Sequence, residues 1–448
     1  MNQFECYRED DYEDLPPVSS MQAWTDAGYP PDVQCTDSPR PLFGRQSGRD
    51  EEYPPEYELP EPLLSAARCQ SRNAGDFKPP QGVVYNGISR PRPPVPPRPL
   101  KIACVGPNFR VGGVRQHALS LAKFFDPRRA RIAEFLVTDS TSIEQQDTGI
   151  APVIPVRPCS AETLRRTSEQ CDVLLMWGDG FRHHQVGDHA VRVFLAHGET
   201  QWTRNALCEN ADIVDHVIAV SRRVHDAVCH GFPTTTILNG VDSGRLAQSF
   251  DRETVRARLA VRRDEFLIGS VGRFTREKQF PLLIQAVESL PPQFKLLLTG
   301  SGRRELELLE LANRCIPGRY AFVPAHDYLG NYLAAMDAFG LVSAHEGFGL
   351  VLAEAMMCGR PVFATNVGCV PDVICDRING VIVQPTAESI ADTIRLIHAN
   401  PQWARGMAAQ GQEFASQHLH ASRMAAEYED LLLRLVSDRR ASGHGMNP

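Results

Sequence analysis

"FGLVSAHEGFGLVLAEAMMCGRP", residues 339–361, divides into four pieces. Apolar residues run to Val342 without interruption, as in a strand buried on both faces. Ser343 to Gly347 reads as a loop. A helix follows to Met357, where Phe348, Leu350, Val351, Leu352, Ala355 and Met356 make it apolar almost all round, and a second strand begins after Gly359. Strand, loop, helix and strand form a βαβ unit, which places this region in a parallel sheet covered by helices. Two carboxylates break the apolar pattern: Glu346 in the loop and Glu354 about two turns into the helix. A buried carboxylate without partners costs on the order of several kcal/mol, so the pair predicts a ligand rich in hydroxyl donors.

The same texture extends outward. At "LKIACVGP" (100–107) short β-branched and aliphatic runs begin to alternate with amphipathic helical stretches. Strands are expected at 101–105, 132–137, 171–176, 191–196 and 215–220, then at 266–271, 294–299, 320–323, 338–342, 361–364 and 380–383. Helices are expected between them, at "GGVRQHALSLAKFF", "PLLIQAVESL" and "RELELLELANRC". The Asn-Gly and Asp-Ser turn chemistry of "ILNGVDSGRL" (237–246) interrupts the series. The predicted class is therefore α/β, with two Rossmann-like doubly wound domains, 99–246 and 247–415, facing each other across a cleft. Ligands of such sheets bind outside the carboxyl ends of the strands, so function belongs in the loops that follow strands.

Bulk properties agree with this division. A chain of 448 residues exceeds what one core usually supports. Its 42% hydrophobic and 23% charged residues are those of an ordinary globular protein, and no apolar run is long enough to span a bilayer. The acidic start, "MNQFECYREDDYEDLPP", lacks the apolar segment of a secretory signal, which predicts a cytoplasmic protein. Residues 1–98 read as a disordered extension: 18 of the 34 prolines lie in the first 99 residues, which show no sustained period. The extension ends in "RPRPPVPPRPL" (90–100), a polyproline stretch read as a stiff spacer ahead of a ligand for an aromatic groove. The twelve cysteines are scattered without metal-ligand spacing, and reduced thiols are expected. The formal charge of −7 is concentrated in residues 1–61, where 15 Asp/Glu face 4 Arg. The remainder is then slightly positive, too little to suggest nucleic-acid binding but suited to a site that receives anions.

Three further loops carry chemistry. In "GPNFRVGGVRQHALSLA" (106–122), Gly112 and Gly113 precede a helix, where backbone N–H groups and the helix dipole favour a phosphate or sugar oxygen. In "GSVGRFTREKQFPLLIQAV" (269–287), Arg273 and Lys278 follow a strand. Two cations there suit a diphosphate, since at ~4 Å and an effective dielectric near ~20 each charge pair is worth about 4 kcal/mol before desolvation. In "LLLTGSGRRELELL" (296–309), Gly300, Ser301 and Gly302 repeat the strand, glycine loop and helix arrangement.

Glu346 and Glu354, with "EGFGLVLAE" between them, resemble the E-x7-E signature of retaining glycosyltransferases, family 4 in particular. "GGVRQHALSLA", "GRFTREK", "GSG" and "NVGCVPDVICDRINGVIV" (366–383) stand in that family's order. The resemblance implies a GT-B fold, with the second domain holding a nucleotide-sugar donor and the first the acceptor. A C-terminal helix within 416–448 is expected to pack back on the first domain. By position, Arg273 and Lys278 would bind the donor diphosphate, Glu346 the sugar hydroxyls and Glu354 the ribose. Backbone N–H groups of Phe348, Gly349 and Leu350, next to Gly347, would cradle the sugar and distal phosphate. His197, in "VFLAHGETQW" (193–202), matches the family's cleft histidine, and Val323 and Pro324 stand at the base-binding loop. Gln279, Cys369 and Asp372 depart from the pattern, where glycine, glycine and glutamate are usual.

The resemblance therefore implies retaining transfer of a hexose-type sugar from a nucleoside diphosphate to a hydroxyl acceptor, a saccharide or a lipid-linked saccharide. No cofactor and no metal is expected, because no Asp-x-Asp stands where it would bridge a diphosphate through a cation. The basic pairs Arg128–Arg129 and Arg222–Arg223 are read as solvated faces ahead of peripheral membrane contacts. The alternatives are a GT-B epimerase or phosphorylase and a non-catalytic sugar-nucleotide scaffold.

Overall fold

The computed structural model describes residues 91–108, 112–139, 154–178, 181, 186–324 and 329–442. The expected disorder of the extension falls, up to residue 90, outside the described residues. Every strand pairing in the two sheets is parallel. The first sheet contains β1 (Leu100–Gly106), β2 (Ala130–Val137), β3 (Val156–Pro158), β4 (Val173–Met176), β5 (Val191–Ala196), β6 (His216–Ala219) and β7 (Thr234–Thr236). Their order is β3-β2-β1-β4-β5-β6-β7. The second contains β8 (Phe266–Val271), β9 (Phe294–Thr299), β10 (Tyr320–Val323), β11 (Ala338–Leu341), β12 (Val362–Thr365) and β13 (Val381–Val383), in the order β10-β9-β8-β11-β12-β13. The order reverses beside β1 and again beside β8, which gives each doubly wound sheet its crevice at the carboxyl ends.

Eleven strands match the sequence reading, and β3 and β7 are additions. Each is a three-residue edge strand, "VRP" and "TTT". Edge strands need not be apolar on both faces, so neither produces the apolar run by which the others are legible. The helix after β11 begins at Leu350, with Gly349 as its N-cap, so Glu354 stands just over one turn from its start.

Both lobes fall within one compact unit, and a single buried cluster runs across their junction. It joins Phe194 and Ala196 of β5 to Leu341, Phe348 and Ala364 in the second lobe. The chain changes lobe twice. The first crossing follows β7; the second lies at Leu419–Ala421, where Val241 and His420 form a parallel bridge, beyond the helix Pro401–His418 that spans residue 415. The helix Ala421–Ala441 then packs on the first lobe, burying Met424, Tyr428 and Leu432 in its core. Polar contacts fix it there: Arg439 donates to Asp215 at 2.6 Å, and Arg129 donates to Asp430 at 2.9 Å.

Arg92 and Arg98 of the polyproline stretch are also engaged with the body. Arg98 forks onto Asp172 at 2.7 and 2.8 Å, and Arg92 donates to Asp430 at 3.0 Å. Of the two basic pairs, Arg128, Arg222 and Arg223 keep the exposure expected of solvated faces, whereas Arg129 does not. Arg129 is buried against Glu429 and Asp430, Arg128 bonds Asp126, Arg222 bonds Asp372 and Arg223 bonds Glu199. Among the described residues no helix is long and apolar enough to cross a membrane.

Candidate active site

The loops at the carboxyl edge of the second sheet are tied to one another by backbone bonds. Phe274 N–H donates to Ser301 O at 2.8 Å, Gly300 N–H to Val323 O at 2.8 Å, and Ala344 N–H to Glu277 O at 2.7 Å. Cys369 N–H donates to Phe348 O at 2.9 Å. The loops carrying Arg273 and Lys278, Gly300 and Ser301, Val323 and Pro324, Glu346, and Cys369 thus form one surface. Such lacing holds side chains in place without any contribution from a ligand.

Lys278 and Glu346 meet on this surface. Lys278 Nζ donates to Glu346 Oε1 at 2.6 Å, and Ser343 Oγ donates to the same oxygen at 2.7 Å. Both side chains of the ion pair are largely buried, 15% and 10% exposed. Arg273 stands on the same loop, half exposed, with Nη2 3.9 Å from Glu277 Oε1. Glu354 is buried deeper, on the helix Leu350–Met357, and accepts from Arg245 Nη1 at 3.1 Å. Burial raises the Glu354 carboxyl above its usual range, and the Arg245 charge opposes that shift. Both glutamates therefore have protein partners already, where the sequence suggested hydroxyls of a ligand.

The first lobe reaches the same loop. A Cβ added to Gly347 would collide with the carbonyl of His197, so only glycine permits this approach. Ser221 Oγ donates to Gly347 O at 2.8 Å. Gly113 lies against Leu350: a Cβ there would stand 3.7 Å from Leu350 Cδ1, while Gly112 faces open space. His197 thus touches the acid loop through its backbone. Its ring instead lines an apolar pocket with His117, Leu121, Trp177 and Leu195.

The two rings meet edge to face with centroids 5.0 Å apart, and the Nε2 atom of each is buried without a hydrogen-bond partner among the described residues. His117 Nδ1 bonds Asn239 Oδ1 at 2.8 Å. Burial lowers the His117 pKa to about 4, against the opposing effect of Asn239, and burial with the neighbouring His117 holds His197 well below its ordinary value. Both imidazoles are neutral at physiological pH. For His117 the unfolded chain, titrating near 6.5, binds the proton more readily than the native state. The stability due to its neutral burial is full above about pH 6.5 and is lost as pH falls towards 4, a linkage on the order of 3 kcal/mol. Denaturant unfolding at pH 7.5 and pH 5 should show about 2 kcal/mol of this loss in the wild type, since pH 5 still lies above the folded value, and a smaller loss in His117→Gln.

The departures from the family pattern have physical readings. Gln279 adopts the left-handed conformation, φ 49°, that a glycine would take freely, and its Oε1 is buried without a partner among the described residues. Gln279→Gly is expected to raise unfolding stability by about 1 kcal/mol, the balance of relieved strain against chain entropy, measurable by urea titration. Cys369 sits at φ −80°, ordinary for any residue, while Gly368 carries the positive φ of 54°. Loop geometry is therefore kept with cysteine at 369. Asp372 accepts from Arg222 N–H at 3.0 Å across the junction.

Sequence reasoning missed Arg245, Ser221 and Glu199. Glu199 accepts from Arg223 Nε at 2.8 Å and lies 3.6 Å from His345 Nδ1, linking the loop after β5 to the acid loop. Its place two residues after His197, in "HGE", was the available signal. Val323 ends β10 and Pro324 follows exposed, whereas the rest of the expected base-binding loop, 325–328, lies outside the described residues. Among the described residues no cluster of three or more potential metal ligands occurs.

Two sheets of this order with a site at the carboxyl edge of the second form the GT-B architecture. The profile of the family described as glycosyl transferases group 1 matches residues 251–414. The lipopolysaccharide core biosynthesis glycosyltransferase LpsE of Rhizobium meliloti is 30% identical over 260 residues, 55% of this chain and 71% of that protein. The N-acetyl-alpha-D-glucosaminyl L-malate synthase of Bacillus anthracis is 26% identical over 235 residues, 51% of this chain and 61% of that protein. Among solved structures, Anabaena HepE in complex with UDP and glucose superposes with a TM-score of 0.65 at 23% identity, covering 75% of this chain and 100% of that one. The chain belongs to the group 1 glycosyltransferase family. It spans about half to two thirds of the length of the first curated relatives it matches.

Proposed function

We propose that this protein is a retaining, family 4-type glycosyltransferase that moves a hexose-type sugar from a nucleoside-diphosphate sugar to a hydroxyl acceptor without a metal ion. The observation that carries this reading is the Lys278–Glu346 contact at 2.6 Å, on two loops of the second lobe, with Gly347 of the acid loop seated on the first. The donor diphosphate lies between Arg273 and Lys278, which stabilise the departing negative charge. Backbone N–H groups at Phe348, Gly349 and Leu350 face the distal phosphate, a natural anion site at the uncapped start of a helix. Glu346 exchanges part of its bonding to Lys278 for hydroxyls of the sugar, and Glu354 accepts from the ribose.

Attack comes from the face the diphosphate leaves. The C1–O bond to phosphate breaks through an oxocarbenium-like state, the acceptor oxygen bonds to C1 on the same face, and the departing phosphate takes the acceptor proton. His197 approaches the sugar from the first lobe by its backbone, against Gly347, while its neutral ring stays packed with His117. The names of the relatives support sugar transfer as the reaction class, and the nucleotide in the HepE complex supports the donor class. The test is donor turnover by the purified protein across a panel of nucleotide sugars, with and without a chelator. Turnover unchanged by the chelator and lost in an Arg273→Ala, Lys278→Ala double variant supports the reading; turnover that survives the double variant refutes it.

A further inference from the structure

Arg245 lies in the 3-10 turn Ser243–Leu246, on the segment that crosses between the lobes. The turn is anchored on both sides. Asp242 caps it, accepting from Gly244 N–H at 3.0 Å, and is itself bound by Lys123 Nζ at 2.6 Å from the first lobe. On the other side the Leu246 carbonyl packs against Gly330, where any Cβ would collide with it. From this fixed position Arg245 Nη1 donates to Glu354 Oε1 at 3.1 Å, among the described residues a single contact with no second arm of a fork. The partners differ in what they require. Arg245 is 37% exposed and has water as an alternative, whereas Glu354 is 4% exposed. The pair therefore serves the glutamate.

We propose that Arg245 is a positioning residue for the donor: it fixes the aim of Glu354 and places a positive charge beside it, so that the carboxylate accepts hydroxyl bonds from the donor's ribose. This rests on the reading of Glu354 as the ribose contact. A carboxylate accepts at both oxygens, so one bond to Arg245 leaves capacity for a hydroxyl. A protonated carboxyl would be a weaker acceptor and would present a proton to the hydroxyls it must receive. The helix Leu350–Met357 packs on β11, β12, the helix Pro401–His418 and the 3-10 turn. Among the described residues facing Glu354, Arg245 is the charge that opposes its desolvation. Cys358, one turn along the same helix, is a thiol that burial pushes up to about 11, and it is neutral at working pH.

The sign follows. Loss of Arg245 raises the Glu354 pKa further, so donor binding weakens progressively as pH falls.

The test compares Arg245→Gln, Arg245→Lys and Glu354→Gln for donor KM and kcat between pH 6 and pH 8.5. Arg245→Gln is expected to raise donor KM about tenfold or more, with kcat changed less than about twofold and the defect deepening at low pH. Arg245→Lys should restore most of the affinity, because the contact is a single bond to a point charge. On a Glu354→Gln background, Arg245→Gln should add little. Donor KM unchanged in Arg245→Gln while Glu354→Gln raises it overturns the proposal alone. So does a pH-independent defect, or a lowered melting temperature with wild-type KM. An unchanged KM in Glu354→Gln instead overturns the ribose reading on which the proposal rests.

Discussion

Lys278→Ala is expected to lower kcat/KM for sugar transfer about 10²–10³-fold, the size of effect seen when one preorganised donor to a developing charge is removed. It should also destabilise the fold. Glu346 is 10% exposed and, among the described residues, would keep only Ser343 as a partner, and breaking a buried pair by removing one member typically costs about 3–5 kcal/mol. The two effects separate in a double variant. Lys278→Ala with Glu346→Gln removes the orphaned charge, so its urea midpoint should recover towards wild type while turnover stays lost. Recovery of turnover along with stability would assign Lys278 a structural role only.

Gly347→Ala should be nearly as damaging, for a reason that involves no charge. The added methyl has no room beside the His197 carbonyl, so the acid loop must move away from the first lobe, and the bond from Ser221 to Gly347 O must lengthen. A displacement of about 1 Å at a reacting centre is worth about 10²-fold in rate. Donor affinity should change much less, because the second lobe supplies nearly all the proposed donor contacts. Single-turnover kinetics and donor binding measured side by side should therefore diverge, with chemistry lost and binding kept. A fully active Gly347→Ala protein would show that the two loops are not apposed during catalysis.

The order of strands was legible because parallel strands buried on both faces read as uninterrupted apolar runs, and the chain signals each of them in turn. β3 and β7 were not, since a three-residue edge strand leaves no such run. The glutamates stood out by being charged inside an apolar helix pattern. Their partners were invisible for a different reason: Lys278 and Glu346 are 68 residues apart, Arg245 and Glu354 are 109 apart, and no local period links them. The linker 237–246 shows the same limit. Its turn residues mark an interruption in the sequence, but in space it contributes Asn239 to His117, Asp242 to Lys123 and Arg245 to Glu354. His197 was placed correctly at the end of a strand, whereas the pocket its ring lines depends on Trp177 and His117, from separate elements.

The most direct measurement is a crystal structure of the protein with a non-transferable nucleoside-diphosphate sugar. The diphosphate is expected within hydrogen-bond distance of Lys278 and Arg273, the sugar hydroxyls on Glu346 and the ribose hydroxyls on Glu354. A nucleotide bound elsewhere, or bound in the cleft with Lys278 still closed on Glu346 and neither touching the ligand, would contradict it.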